Sequence, residues 1–174
     1  MVDSHAVGLE AATPDSTQAL SNLLGLYMHD MSDIFPIDVG ADGRFRYEKL
    51  SLYWSEPERH FPFLIYCGAL LAGFALATRG SPMTDDPEHL DVAEFFVLRR
   101  YRRTGIGRQA AVLLWNRLPG QWVVRVSEAN RAGLAFWSAT IEQYTRGAFS
   151  ESKRSGSPHG WRIWTFASAK LGAV

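Results

Sequence analysis

The chain of 174 residues holds a single cysteine, Cys67. An internal disulfide is therefore excluded, and so is any metal site built on a cysteine cluster. Cys67 lies inside an apolar run, which reads as a buried, inert thiol rather than a nucleophile. A chain without disulfides fits a reducing, cytoplasmic setting. The five histidines, at positions 5, 29, 60, 89 and 159, show no metal-ligand spacing. No apolar run suits a membrane span: residues 63–78 carry no charge, but they are too few and are broken by Gly68 and Gly73. The N-terminus lacks the basic region and apolar core of a signal peptide. An excess of one charge is missing too, since 18 basic residues balance 18 acidic ones.

The charge that is present is unevenly placed. Residues 1–98 hold 15 acidic and 5 basic side chains, whereas residues 99–174 hold 3 and 13. Two readings follow: an anion-binding half facing a half that attracts a cation, or surface charge that pairs between the halves on folding. Nucleic acid is not an expected partner, because the arginines concentrate at one turn and no DNA- or RNA-binding motif accompanies them. The length predicts one domain, residues 1–174, large enough to bury a real core.

Periodicity supplies the element order. A short strand or loose end occupies residues 1–14. Leu20, Leu23, Leu24 and Tyr27 recur at helical spacing and predict a helix over residues 15–31. Residues 35–43 form a loop by their Pro, Gly and Asp content. Tyr47, Leu50, Tyr53 and Trp54 predict a second, irregular helix before Pro57, with aromatics that read first as core. Residues 62–67 and 70–78 flank Gly68-Ala69 as a β-hairpin. A strand over 90–98, a helix over 109–118, a strand over 122–126 and a helix over 130–144 follow. Residues 147–150 and 161–167 close the chain as antiparallel strands around a polar loop, 153–158.

Within this order one stretch concentrates chemistry. The apolar run Phe95-Phe96-Val97-Leu98 breaks into Arg99-Arg100-Tyr101-Arg102-Arg103-Thr104-Gly105-Ile106-Gly107-Arg108 and then enters a helix. Backbone N–H groups at a helix start have no partner within the helix, and the macrodipole places partial positive charge there. Gly105 and Gly107 let an anionic group approach the backbone, and five arginines between 99 and 108 favour a phosphate-bearing ligand. A surface turn with solvated arginines is the plainer alternative. A dinucleotide-binding turn is disfavoured because the G-x-G-x-x-G order is absent.

Arg102-Arg103-Thr104-Gly105-Ile106-Gly107 resembles the Q/R-x-x-G-x-G/A signature of the GNAT superfamily, the Gcn5-related N-acetyltransferases. A second anchor is Asn130, followed by Gly133, Phe136 and Trp137, where that family often shows an asparagine, a small or apolar residue and an aromatic pair. The element order also resembles the family's, over essentially the whole chain. The resemblance implies an α/β (α+β) fold: a mixed, mostly antiparallel twisted sheet with helices on both faces and splayed central strands. It implies acetyl-CoA as co-substrate and a primary amine, of a small molecule or a protein, as acceptor. Phe95, Phe96, Val97, Arg102, Arg103, Thr104, Gly105, Ile106, Gly107, Arg108, Asn130 and Trp137 are then the expected cofactor contacts. No metal and no membrane partner are expected, and a homodimer is compatible with the family.

Catalytic roles are less legible. Attack by an amine needs a base. Glu94, just before the turn and on the strand face of Phe96, is the candidate, and an apolar strand would raise its pKa. Its structural alternative is an ion pair with a turn arginine. Asp91, His29 and His89 are weaker candidates. Asn130 also suits a helix N-cap. Trp137 stands where the resembled family commonly has a tyrosine that protonates the departing thiolate, and an indole N–H cannot titrate in that role. Tyr144, about two turns on, lies too far along the helix to replace it. Two rival readings remain open here: a CoA-binding module without turnover, and an acyl-binding or protein-interaction domain built on the aromatic-rich region 45–66.

Overall fold

The computed structural model describes residues 6–168, so residues 1–5 of the expected N-terminal strand lie outside the description. Eleven regular elements follow the expected order: β1 Val7–Ala11, α1 Thr17–Met31, α2 Leu52–Ser55, β2 His60–Cys67, β3 Leu70–Arg79, β4 Leu90–Val97, α3 Ile106–Arg117, β5 Gly120–Ser127, α4 Arg131–Thr145, β6 Ser150–Arg154 and β7 Trp161–Ser168. They build one seven-stranded sheet in the order β1-β2-β3-β4-β5-β7-β6. Every neighbouring pair is antiparallel except β4 and β5.

Helices cover both faces because both faces of the central strands are apolar. On one face Leu20, Leu23 and Leu24 of α1 and Tyr53 of α2 pack on Leu64, Phe74, Leu76 and Phe96. On the other, Leu114 and Trp115 of α3 and Trp137 and Ile141 of α4 pack on Trp122, Val124, Trp164 and Phe166. Trp115, Trp122 and Trp164 are wholly buried, each contributing on the order of 2–3 kcal/mol through the water it no longer contacts. Ile106 and Ala110 extend this second core over Ile65, Ala72 and Val97.

Several boundaries depart from the sequence expectation, most of all in α3, β6 and β5. Helix α3 begins at Ile106 rather than 109, because Gly105 takes a left-handed conformation and turns the chain directly into it. Strand β6 occupies 150–154 rather than 147–150: Gly147 is at φ +85°, and the real strand is a fully exposed, polar edge that carries no apolar alternation. Strand β5 is longer at both ends than the apolar core of its sequence.

Two irregularities shape the site. Strand β4 contains a bulge at Ala93, since Leu76 pairs with Glu94 and Ala77 with Val92. The extra residue shifts the alternation, so Leu90, Val92 and Phe95 join the α3/α4 core while Asp91 and Glu94 share the α1 face. The second irregularity is that β4 and β5 pair only through Leu90↔Trp122 and Asp91↔Val123 and then part.

Gly73 holds β3 against the parted strand: a Cβ there would sit 2.0 Å from the Phe96 carbonyl oxygen. Backbone cannot swing aside as a side chain does. Gly73→Ala is expected to lower stability by at least about 2 kcal/mol, read as a reduced urea midpoint with an unchanged slope.

Candidate functional site

Where β4 and β5 part, a cleft of about 1270 Å³ opens, running from the Arg99–Arg108 turn to the C-terminal end of α1. The amide of Leu98 donates to the Ala72 carbonyl, on the β3 side. By strand alternation the amides of Phe95 and Val97 face the gap instead, where β5 has withdrawn.

At one end lies the turn. Arg103 (φ +62°) and Gly105 (φ +89°) both take left-handed backbone, the first at a cost of about 1–2 kcal/mol for a residue with a side chain. Alternating hands turn successive N–H groups to one side, a concavity of the kind that suits an anion. Among the described residues, no protein acceptor receives a hydrogen bond from the amides of residues 103–108; the first helical bond is Gln109 N–H to the Gly105 carbonyl. Gly107 packs closely beneath, since a Cβ there would come within 3.3 Å of the Phe136 ring and 3.5 Å of Val97.

The arginines divide by task. Arg102 donates through Nε to the Val97 carbonyl (2.8 Å) and through its terminal nitrogen to Asp30 (2.5 Å), so it fastens the turn to the strand and to α1. Arg99 also pairs with Asp30, at 2.8 Å. Burial pushes the Asp30 carboxyl up, but hydrogen bonds and charge from Arg102 and Arg99 outweigh it and hold it below the usual carboxylate range. Arg103 and Arg108 line the cleft mouth, with Arg108 also bonded to Gln143 at 2.9 Å. The pairing reading of the charge asymmetry holds for Arg99, Arg102 and Arg125, while Arg103 and Arg108 make no ion pair among the described residues.

Asn130 caps α4, its Oδ1 accepting from the Gly133 amide at 2.9 Å, and it lines the cleft as well. Gly133 permits that contact, because a Cβ there would lie 2.6 Å from Asn130 Nδ2. Phe95 stacks on Phe136 (5.9 Å between centroids) and meets Trp137 edge-on at 5.0 Å. Trp137 is core, 7% exposed, with one border on the cleft. Phe96 turns to the α1 face, under the Arg102 guanidinium. Thr104 and Ile106 stand apart from the other expected contacts: the Thr104 hydroxyl bonds the Tyr101 carbonyl and Ile106 is buried, so only their amides are available.

Glu94 lies in the cleft wall with both oxygens occupied. Oε2 accepts from the Tyr27 hydroxyl (2.5 Å) and Oε1 from that of Tyr47 (3.1 Å). Burial raises the carboxyl above its ordinary value, opposed by the Tyr27 bond, the charge of Arg125 and the Tyr47 bond. Burial and the facing carboxylate in turn raise both tyrosines, which remain donors. The expected alternative, an ion pair between Glu94 and a turn arginine, is not what forms. Arg125 pairs with Asp91 at 3.1 Å, and Asp91 also accepts from Ser81 at 2.9 Å. Asp91 is fully buried and outside the cleft lining, which removes it as a base in contact with substrate. His29 lies against Phe45 and His89 against Thr84, both away from the cleft. Tyr144 bonds Asn116 on the far side of α4.

Sequence reasoning did not single out Tyr27, Asp30 or Arg125, and it read Tyr47 as one of several core aromatics of which one or two could also cover the acceptor site. Tyr27 looked like core at helical spacing. Asp30, one helical turn beyond Tyr27, was the available signal, since a carboxylate there must face whatever Tyr27 faces.

The profile of the acetyltransferase (GNAT) family matches residues 24–139. Comparison with curated proteins finds no match. Among solved structures, an acetyltransferase from Thermus thermophilus superposes with a TM-score of 0.68 at 18% identity, covering 94% of this chain and 99% of that one. The yncA protein of Salmonella typhimurium, solved with its cofactor acetyl-CoA, gives 0.67 at 12% identity, with 97% of each chain covered. The ribosomal-protein-S18-alanine N-acetyltransferase of Escherichia coli gives 0.60 at 14% identity, covering 97% and 99%.

The anion cradle is tested at Gly105. Gly105→Glu sets a carboxylate among the free amides, and juxtaposed like charges cost several kcal/mol. Titration calorimetry should show the Kd for coenzyme A rising about 100-fold or more; an unchanged Kd would locate the pyrophosphate elsewhere.

Proposed function

Because this chain belongs to the acetyltransferase (GNAT) family, and so is an N-acetyltransferase that uses acetyl-CoA, we propose that its acceptor is a primary amine, of a small molecule or a protein, acetylated by direct attack. The observation that carries this reading is the cleft between β4 and β5, with free amides at one end and a tyrosine-held carboxylate in its wall. Amides 103–108 fit a diphosphate that must come close to backbone, and Gly105 leaves that approach open. Phe95 and Val97 fit the amide groups of an extended arm, which add to the open edge as a strand would. Asn130 lies within reach of the same arm through Nδ2.

When bound, the co-substrate supplies an activated acyl carbonyl. The chain's own residues do the rest. Glu94 takes a proton from the acceptor ammonium, and its raised pKa brings it closer to the amine's. A main-chain N–H of the Val97 strand polarises the carbonyl oxygen as negative charge develops there. Phe136 and Trp137 exclude water around the thioester. Trp137 supplies no titrating proton, so the thiolate is protonated by water or by the acceptor's own proton. That same tryptophan is what favours the rival reading of a chain that binds CoA without turnover.

Release of free thiol from acetyl-CoA in the presence of a panel of amines decides between them. Wild-type kcat/KM should fall as pH drops through the raised Glu94 pKa, above the ordinary 4.5. Glu94→Gln should lower kcat about 10²- to 10⁴-fold. It should also remove that acid limb, leaving only the rise that follows the amine's own ionisation. A variant with unchanged kcat would take the base role from Glu94.

A further inference from the structure

The end of the cleft opposite the anion cradle carries a chemistry of its own, and it narrows the acceptor. Beyond Glu94 the wall is built from Met31 at the end of α1, Ile34, Phe35 and Ile37 in the segment that follows, and Trp161 at the start of β7. All five are partly exposed, apolar and directed at the same space. The Phe35 ring stacks on Trp161 (6.0 Å between centroids, 20° between planes), and His159 Nε2 meets the Ile34 carbonyl at 3.0 Å. The segment after α1 is thus tied to the end of the β6–β7 loop across the cleft and roofs this end.

Charge sets the second limit. The cations nearest this space pair with carboxylates, Arg125 with Asp91 through a terminal nitrogen and Arg99 and Arg102 with Asp30, while Arg125 Nε is buried without a hydrogen-bond partner. Arg125 also lies over the Trp161 ring, 5.8 Å from its centroid. Glu94 is held by neutral hydroxyls alone. With the Asp33 carboxylate also on the lining, the local balance favours a cationic acceptor, its ammonium at Glu94, and disfavours an anionic group on the same molecule. A peptide would need a way out through the segment that Phe35 and Ile34 tie down.

We propose that the acceptor is a small primary arylalkylamine, its ammonium at Glu94 and its ring against Phe35, Ile34 and Trp161. The inference rests on the acetyl-transfer reading and specifies its substrate. One ammonium proton passes to Glu94. The nitrogen lone pair forms the new N–C bond, and the thioester C–S bond breaks with its electron pair leaving on sulfur. The second proton lost by nitrogen balances the thiolate, giving the N-acetyl arylalkylamine and coenzyme A.

The test uses the full chain with acetyl-CoA and measures thiol release with 2-phenylethylamine, 2-aminoethanol, spermidine, phenylalanine and a short alanine-initiated peptide. Apolar pockets discriminate by about tenfold or more per group buried. The expected kcat/KM for 2-phenylethylamine is thus at least about tenfold above each of the others. Phe35→Ala should raise KM for 2-phenylethylamine about tenfold with kcat nearly constant, and Phe35→Tyr, which keeps the stacked ring, should restore it. Preference for spermidine, phenylalanine or the peptide overturns this inference and leaves amine acetylation standing. Equal turnover of 2-aminoethanol and 2-phenylethylamine overturns it likewise. Acetyl-CoA binding with no thiol release from any amine removes the acetyl-transfer reading, and this inference with it.

Discussion

Two strands that begin as neighbours and then separate govern this molecule. β4 is fully paired on its other side with β3, and β5 with β7, so neither frays. The two parts of the sheet are each complete and meet only at Leu90↔Trp122 and Asp91↔Val123. Beyond that junction Arg102 meets the Val97 carbonyl, and the amides of Phe95 and Val97 are left to water or a guest, since a buried amide left unmet costs about 1–3 kcal/mol. The opening is thus both a cavity and an unsatisfied strand edge, which is why an extended, amide-bearing arm suits it.

The bulge at Ala93 decides what faces the guest. In an unbroken strand Asp91 would share a face with Phe95 and point into the tryptophan-rich core. One inserted residue moves it to the α1 side, where Ser81 and Arg125 receive it. Glu94 then stands in the cleft wall with no arginine in direct contact, held by two phenol hydroxyls in place of a counter-ion. A neutral donor pair lets the carboxyl keep a raised pKa, whereas a guanidinium in contact would have pulled it down.

What could be read from the sequence was what local pattern encodes. Strands β2, β3 and β4 are apolar runs with clear ends, and Gly105-Ile106-Gly107 sits where a strand gives way to a helix. Those signals singled out the turn and Asn130, and both border the cleft. The strand β6 was misplaced because Ser150–Arg154 carries no apolar residue to set a period; its pairing comes from β7 alone. The ring of groups around Glu94 was hidden for a different reason. Tyr27, Tyr47 and Arg125 lie far from it in the chain, and their meeting depends on a bulge that leaves no mark in composition. The arginine cluster was legible as a cluster, but its division into fasteners and cradle residues depends on Asp30.

Helix α1 connects these observations. Tyr27 and Asp30 are three residues apart, so they lie on one helical face. The first holds Glu94 and the second holds Arg102, whose Nε grips the Val97 carbonyl. Its last turn then supplies Met31 and leads into the segment that Phe35 stacks on Trp161. A single helix therefore touches the anion turn, the carboxylate and the far wall of the cleft, and a small rotation of α1 would move all three together. Reacting atoms need placement to within a fraction of an ångström. A scaffold that fixes both ends of the cleft through one rigid element meets that need with fewer independent contacts than separate supports would require.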